Sequence, residues 1–318
     1  MSVPADQAVA ARLPDGSVLV LGGDPSKPAE IYGPATGKFH PVNSSVPGIG
    51  AQEAVSLKDG RVLLMAGPET QIYDPGNGAY SATGSVLPAN WLGPATLLSN
   101  GDVLVAGGLD TDNNSTATAQ VYDPESGKFS RTGSMKTARG CDVAVGLLNG
   151  LALVAGGDNR NNHVLASAEL YDPATGKFQY TGSMTVARAC PDAVRLADGR
   201  VLIAEGAGQD TPGTTSAEIY NPATGKFSPT GTMTTQRSGD TATLLENGKV
   251  LFAGGDVGGS VATAELYDPA TGKFSLTGNM VAMRQFACAT LLSDGRVLIA
   301  GGSSPLIPAL SSAELYWP

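Results

Sequence analysis

The sequence predicts an all-β chain: a seven-bladed β-propeller of four-stranded antiparallel blades, with the last blade lacking its outer strand. Three observations carry that expectation. The segment AELYDPATGKF, residues 168–178, returns in close or weaker copies along the 318 residues; an Asp-Gly or Asn-Gly dipeptide stands at one point of every return; and each return holds the same four short apolar stretches. A repeat of this length marks an architecture of stacked supersecondary units. Four antiparallel strands repeated seven times close radially.

The period is set by Tyr32, Tyr73, Tyr122, Tyr171, Tyr220, Tyr267 and Tyr316, with steps of 41, 49, 49, 49, 47 and 49 residues. The first strand of each unit ends at the dipeptide: Asp15-Gly16, Asp59-Gly60, Asn100-Gly101, Asn149-Gly150, Asp198-Gly199, Asn247-Gly248 or Asp294-Gly295. Such a dipeptide between apolar runs predicts a type I′ hairpin turn. The second strand is a continuous apolar run such as VLVLGG, VLVAGG, VLIAEG or VLFAGG, which reads as buried on both faces. The third strand carries the repeat tyrosine, the DPATG segment turns the chain, and the fourth strand opens on an aromatic residue. The units span approximately 7–46, 51–88, 93–137, 142–186, 191–235, 240–282 and 287–318, a single domain over 1–318. The last unit stops before a fourth strand. This leaves 27 strands and an open edge over residues 312–317, with Ser312 and Trp317 at its ends. An unpaired edge of this kind invites homo-association.

Composition bounds the partners. The formal net charge is −9, and nucleic-acid binding needs a basic footprint, so a polyanion is excluded as a partner. No apolar run reaches the about 18 residues of a membrane span. Three cysteines, Cys141, Cys190 and Cys288, are sparse and odd in number and read as small buried apolar residues outside any disulfide framework. Few lysines and many Thr, Ser and Gly suggest an extracellular or cell-surface protein, although the chain opens without a signal peptide.

The double glycine after strand two, the tyrosine of strand three, the aromatic of strand four and the Arg-bearing linkers resemble the Kelch repeat. The resemblance covers essentially the whole chain and implies a Kelch propeller of bacterial type, similar to the propeller domain of galactose-oxidase-like proteins. Cys190-Pro191 resembles the Cys-Pro of those oxidases, where the cysteine is cross-linked to a copper-ligand tyrosine. This chain has Gly239 at the position of that tyrosine, and Gln285-Phe286 where the family has Tyr-His. With two histidines in all, His40 and His163, the residues imply no copper site and no other cofactor.

The turns of one face are uniform. The second-to-third-strand loops and the inter-blade linkers, on the other face, vary in length and chemistry, and function on repeat scaffolds sits on such loops. There, Asp110 and Asp112 offer oxygens at alternate positions, but without the Gly and distant Glu of a calcium loop they read as a solvated loop. Asp158, Arg160 and His163 form a second polar loop. Asp142 and Asp240 share one first-strand position and with Glu205 would ring the channel mouth. They would either cap backbone amides or serve as cation ligands or acid–base groups. Trp91 is either a stacking platform or a gap filler.

The linker arginines Arg139, Arg188, Arg237 and Arg284 could bind an anion. Each stands in a blade with a third-strand glutamate: Glu169, Glu218, Glu265 and Glu314. The two blades with Gln71 and Gln120 lack the arginine, and blade one has Glu30 alone. Intra-blade ion pairs explain this pattern. The reading is a non-catalytic binding propeller for a protein or a small polar, carbohydrate-type ligand. The alternatives are a carbohydrate-active isomerase or hydrolase using the channel-mouth carboxylates and arginines, and a scaffold that assembles through the blade-seven edge.

Overall fold

A computed structural model describes residues 1–42, 49–87, 90, 93–159, 161, 163–211, 213–256, 259 and 261–318. It holds seven antiparallel sheets, each in simple up-and-down order. Blade one is β1 (Val9–Arg12), β2 (Val18–Leu21), β3 (Glu30–Gly33) and β4 (Lys38–Pro41). Blade two is β5 (Glu53–Ser56), β6 (Val62–Ala66), β7 (Glu69–Asp74) and β8 (Ala79–Ala82). Blade three is β9 (Ala95–Leu97), β10 (Val103–Ala106), β11 (Ala119–Asp123) and β12 (Lys128–Arg131). Blade four is β13 (Val143–Gly146), β14 (Ala152–Ala155), β15 (Ala168–Asp172) and β16 (Lys177–Tyr180). Blade five is β17 (Asp192–Arg195), β18 (Val201–Ala204), β19 (Ser216–Asn221) and β20 (Lys226–Thr232). Blade six is β21 (Asp240–Leu244), β22 (Val250–Gly254), β23 (Ala264–Asp268) and β24 (Lys273–Leu276). Blade seven has three strands only, β25 (Cys288–Leu291), β26 (Val297–Ala300) and β27 (Ala313–Tyr316). The fold is the seven-bladed propeller that the repeat predicts. No helix among the described residues is long and apolar enough to cross a membrane.

The chain forms two compact units. One comprises Met1–Gly84, Gly239–Tyr267 and Leu276–Pro318; the other comprises Ser85–Ser238 and Asp268–Ser275. In both, burial follows the strand period. Every residue of the second strands β2, β10, β14, β18 and β26 is buried. Successive side chains of a strand point to opposite faces, so a second strand feeds two cores at once. Leu19 and Leu21 pack with Val62, Leu64 and Tyr73 of blade two, while Val18 and Val20 pack with Leu292, Leu298 and Ala300 of blade seven. In the other unit Val154 faces Leu104 and Ala106 of blade three, while Leu153 and Ala155 face Val201 and Ile203 of blade five. The fourth strands β4, β12 and β24 are mostly exposed.

The first hairpins differ from the expected type I′ turn. At each dipeptide only the glycine has positive φ, from 81° at Gly248 to 104° at Gly101. In blade one Gly16 N–H donates to Leu13 O at 2.9 Å, and Leu13 N–H donates to Ser17 O at 2.8 Å. This is a three-residue loop closed by a glycine in the left-handed region. The Asp or Asn before the glycine keeps ordinary φ because its carboxylate or amide oxygen accepts the N–H two residues on: Asp15 from Ser17 at 2.9 Å, Asp198 from Arg200 at 3.0 Å. That side-chain bond, and not a left-handed conformation, is what the dipeptide encodes here.

Candidate functional site

The residue nine before each turn glycine ends the inter-blade linker and aims at the start of the first strand. In five blades it lies in the left-handed region: Gln7 (φ 47°), Cys141 (49°), Cys190 (49°), Gly239 (66°) and Phe286 (52°). Four of these are not glycine, and such outliers collect at functional positions.

In the unit holding blades one, two and seven, three of these linker ends line a cavity of 340 Å³ with Ala8, Val9, Gln52, Asp240 and Ala287. Phe286 N–H donates to Gly239 O at 2.6 Å, and Ala8 N–H donates to Phe286 O at 2.9 Å, which fixes the backbone. A Cβ on Gly239 would lie 2.6 Å from the Phe286 ring, so only glycine admits the ring there. The ring is 46% exposed. Gln7 and Gln52 are also exposed, and Gln52 Oε1 accepts the Gly67 N–H at 3.2 Å. The cavity therefore offers an aromatic face, two primary amides and one carboxylate. Beside Gln52, half-buried Glu53 has its pKa pushed up to about 7 by desolvation. Of the cavity's polar and aromatic lining, only Asp240 was singled out by sequence. Gln7, Gln52 and Phe286 were missed, though the offset that Gln7 and Phe286 share from the turn glycine is visible in the repeat.

In the other unit, Cys141 and Cys190 form a disulfide with Cα atoms 4.6 Å apart, and Cys190 N–H donates to Cys141 O at 2.7 Å. Both residues are exposed. This corrects the reading of two small buried thiols. The two cysteines stand one repeat apart, 49 residues, so adjacent blades bring the same linker end side by side. The remaining thiol, Cys288, is buried, and burial pushes its pKa up to about 12.

Asp142 is 7% exposed, with the main-chain amides of Asp142 itself and of Gly108 beside its carboxylate. Burial pushes its carboxyl up to about 8; Arg139 and the nearby amides of Asp142 and Gly108 oppose the rise, and Asp158 adds to it. Glu205 is buried with φ 63°, at the place where Gly107, Gly156, Gly254 and Gly301 end the matching second strands. Carboxylate oxygens of Glu205 and Asp192 lie within 4.8 Å of each other, a pair able to share a cation or a proton.

The loop acids bind loop backbone and loop hydroxyls. Asp110 Oδ1 accepts the N–H groups of Asp112 and Asn114, both at 2.9 Å. Asp158 accepts the Ser115 hydroxyl at 3.0 Å and exchanges main-chain bonds with Gly140. Asp112 and His163 are exposed. Trp91 and Arg160 lie outside the described residues.

The arginines sit in the blade interiors. Arg139 and Arg188 have no exposed surface; they meet Glu169 at 3.2 Å and Glu218 at 3.4 Å. Arg284 meets Glu314 at 2.7 Å, and Arg237 and Glu265 are fully buried. Each paired guanidinium also donates to two backbone carbonyls, those of Gly156 and Ser167 for Arg139. In blade one Glu30 has no arginine and instead accepts from the N–H groups of Ser2 and Val3 and the Ser2 hydroxyl.

Blades, turns and linker pairs together define a β-propeller carrying Kelch motifs, and the Kelch motif matches residues 91–136 and 139–185. Among solved structures the chain is similar to a novel fungal alcohol oxidase with catalytic diversity among the AA5 family, in complex with copper. The TM-score is 0.77 at 19% identity, over 95% of this chain and 71% of that one. It is also similar to YjhT, with TM-score 0.66 at 14% identity, over 98% and 95% of the two chains. At these identities the likeness is one of fold. No curated protein matches the chain. Copper does not suit the donors here: the cavity has no imidazole or phenol, and Cys190 is committed to Cys141.

Proposed function

We propose that the chain is a non-catalytic binding propeller whose ligand is a small polar molecule with one apolar face, of carbohydrate type. The cavity of Gln7, Gln52, Asp240 and Phe286 carries this reading. A sugar ring presents C–H groups on one face and hydroxyls at its rim. The exposed Phe286 ring suits the first; the amides and the carboxylate suit the second. A glycan array probed with the full chain tests this. Binding is expected to fall at least about tenfold in Phe286→Ala, with an unchanged unfolding midpoint. Equal binding by the variant, or no bound glycan, overturns it.

One observation favours a second reading, an enzyme acting on a sugar. Asp142, with its raised pKa, holds a proton at neutral pH, the form a general acid requires. Turnover of an oligosaccharide that Asp142→Asn abolishes would establish it. The exposed disulfide supports an exported protein, since such bonds persist in oxidising compartments.

A further inference from the structure

The second-to-third-strand loop of blade seven holds two apolar side chains out to solvent. Leu306 is 92% exposed and Ile307 48%. The loop is fastened at its base, where Gln285 and Ser303 exchange main-chain bonds, both at 2.9 Å; Gln285 is the linker residue before Phe286. Ser304 and Ile307 exchange a second pair, at 2.8 and 3.1 Å, and close a turn with Pro305 and Leu306 at its tip. Proline fixes φ at the first of these two positions. On the far side Leu310 N–H donates to Gly302 O at 2.8 Å, and Ala5 N–H donates to Leu310 O at 3.0 Å.

The linker beside this loop has the same character. Counted from the buried arginine, Met283 takes the place of Ala138, Ala187 and Gln236, and Phe286 that of Cys141, Cys190 and Gly239. Both Met283 and Phe286 are exposed. The exposed residues of the matching loops in blades three to five are polar, among them Asp112, His163 and Asp210. Over residues 277–287 and 301–312 the single charged side chain is Arg284, which is fully buried. Met283, Phe286, Leu306 and Ile307 therefore stand on two segments bonded side by side, as an uncharged apolar strip. Solvent-facing apolar clusters of this kind mark binding surfaces.

What covers the strip follows from where it begins. Phe286 also lines the cavity of Gln7, Gln52 and Asp240, so whatever lies on the inner end of the strip touches the polar site as well. Four side chains are a small part of the about 800 Å² that each partner buries in a stable protein complex. They are enough for one alkyl chain, and a chain laid where no charge stands beside it is neutral.

We infer that the ligand is an amphiphile, with a sugar-type head in the cavity and a neutral alkyl or acyl chain laid from Phe286 along Met283, Ile307 and Leu306. The inference rests on the carbohydrate reading for the head alone. The test is titration calorimetry of the full chain with methyl β-glucoside, with octyl β-glucoside below its micellar concentration, and with octyl tetraethylene glycol ether, which has the same chain and no sugar. Octyl glucoside is expected to bind at least about tenfold more tightly than methyl glucoside, since each buried methylene contributes about fourfold. Leu306→Ser combined with Ile307→Ser should remove most of that advantage without moving the unfolding midpoint, because both side chains are exposed. Equal affinity for the two glucosides overturns the inference, as does an absence of binding by either octyl compound or an octyl advantage that the double variant keeps. If the glycol ether binds as tightly as octyl glucoside and the variant weakens both, the chain site stands and the carbohydrate reading falls. Cosedimentation with phosphatidylcholine vesicles that the variant abolishes overturns the inference in favour of a bilayer surface.

Discussion

Asn90 and Gln120 do with neutral groups what Arg139 and Glu169 do with charges. Asn90 Nδ2 donates to Gly107 O at 2.8 Å and Thr118 O at 2.7 Å, and Gln120 Nε2 donates to Asn90 Oδ1 at 2.7 Å. These are the carbonyls and the spacing that Arg139 uses one blade later. The molecule thus contains its own control for a charge deletion. Arg139→Asn alone strands a buried carboxylate and is expected to cost about 3–5 kcal/mol in chemical denaturation. Adding Glu169→Gln should restore a large part of that, because the pair then copies blade three. Asp142 gives the second prediction at this scale. Its unfolded carboxyl titrates near 3.8 and its folded one near 8, so between these values the folded state holds the extra proton. Stability therefore falls as pH rises through this window, the reverse of a salt-bridged aspartate. Asp142→Asn should be more stable than the parent at pH 8, on the order of 2–4 kcal/mol, and equal to it near pH 3. An unchanged difference across that range would refute a raised pKa.

At the scale of the element, alternation decides what a strand is for. Even and odd residues of β2 and of β14 enter different cores, so blade one and blade four are each glued to both neighbours by one strand. This was readable as a continuous apolar run. The bond between Cys141 and Cys190 was not read, because an odd cysteine count suggests no framework and the pairing exists only once adjacent blades are superposed in register. The signal was present all the same, as two cysteines one period apart. Closing a loop of this length contributes about 4 kcal/mol in the chain-entropy picture, and rather less in practice. Reduction, or Cys141→Ser with Cys190→Ser, should lower the denaturation midpoint correspondingly. Thiol titration of the unfolded oxidised chain should find one reactive group, Cys288, and three after reduction.

For the whole molecule, the fold was almost fully legible, since a period, a turn dipeptide and an apolar run recur in every copy. The site was legible only in part. Asp240 was found as an acid at a strand start, but Gln7, Gln52 and Phe286 carry no motif. Gln7 and Phe286 matter through a backbone conformation that no residue type announces, φ near 50° at the linker end. Asp110 and Asp158 attracted notice as loop acids; Asp110 fastens its own loop and Asp158 ties that of blade four to Ser115 of blade three. Near-identity of the copies has a further result. Residues 168–178 and 264–274 have the same sequence, so during folding either third-strand hairpin can settle in the other's sheet with no loss in its own bonds. Nothing local proofreads that exchange. The bond between Cys141 and Cys190 opposes it, because it holds the starts of blades four and five side by side in their correct succession.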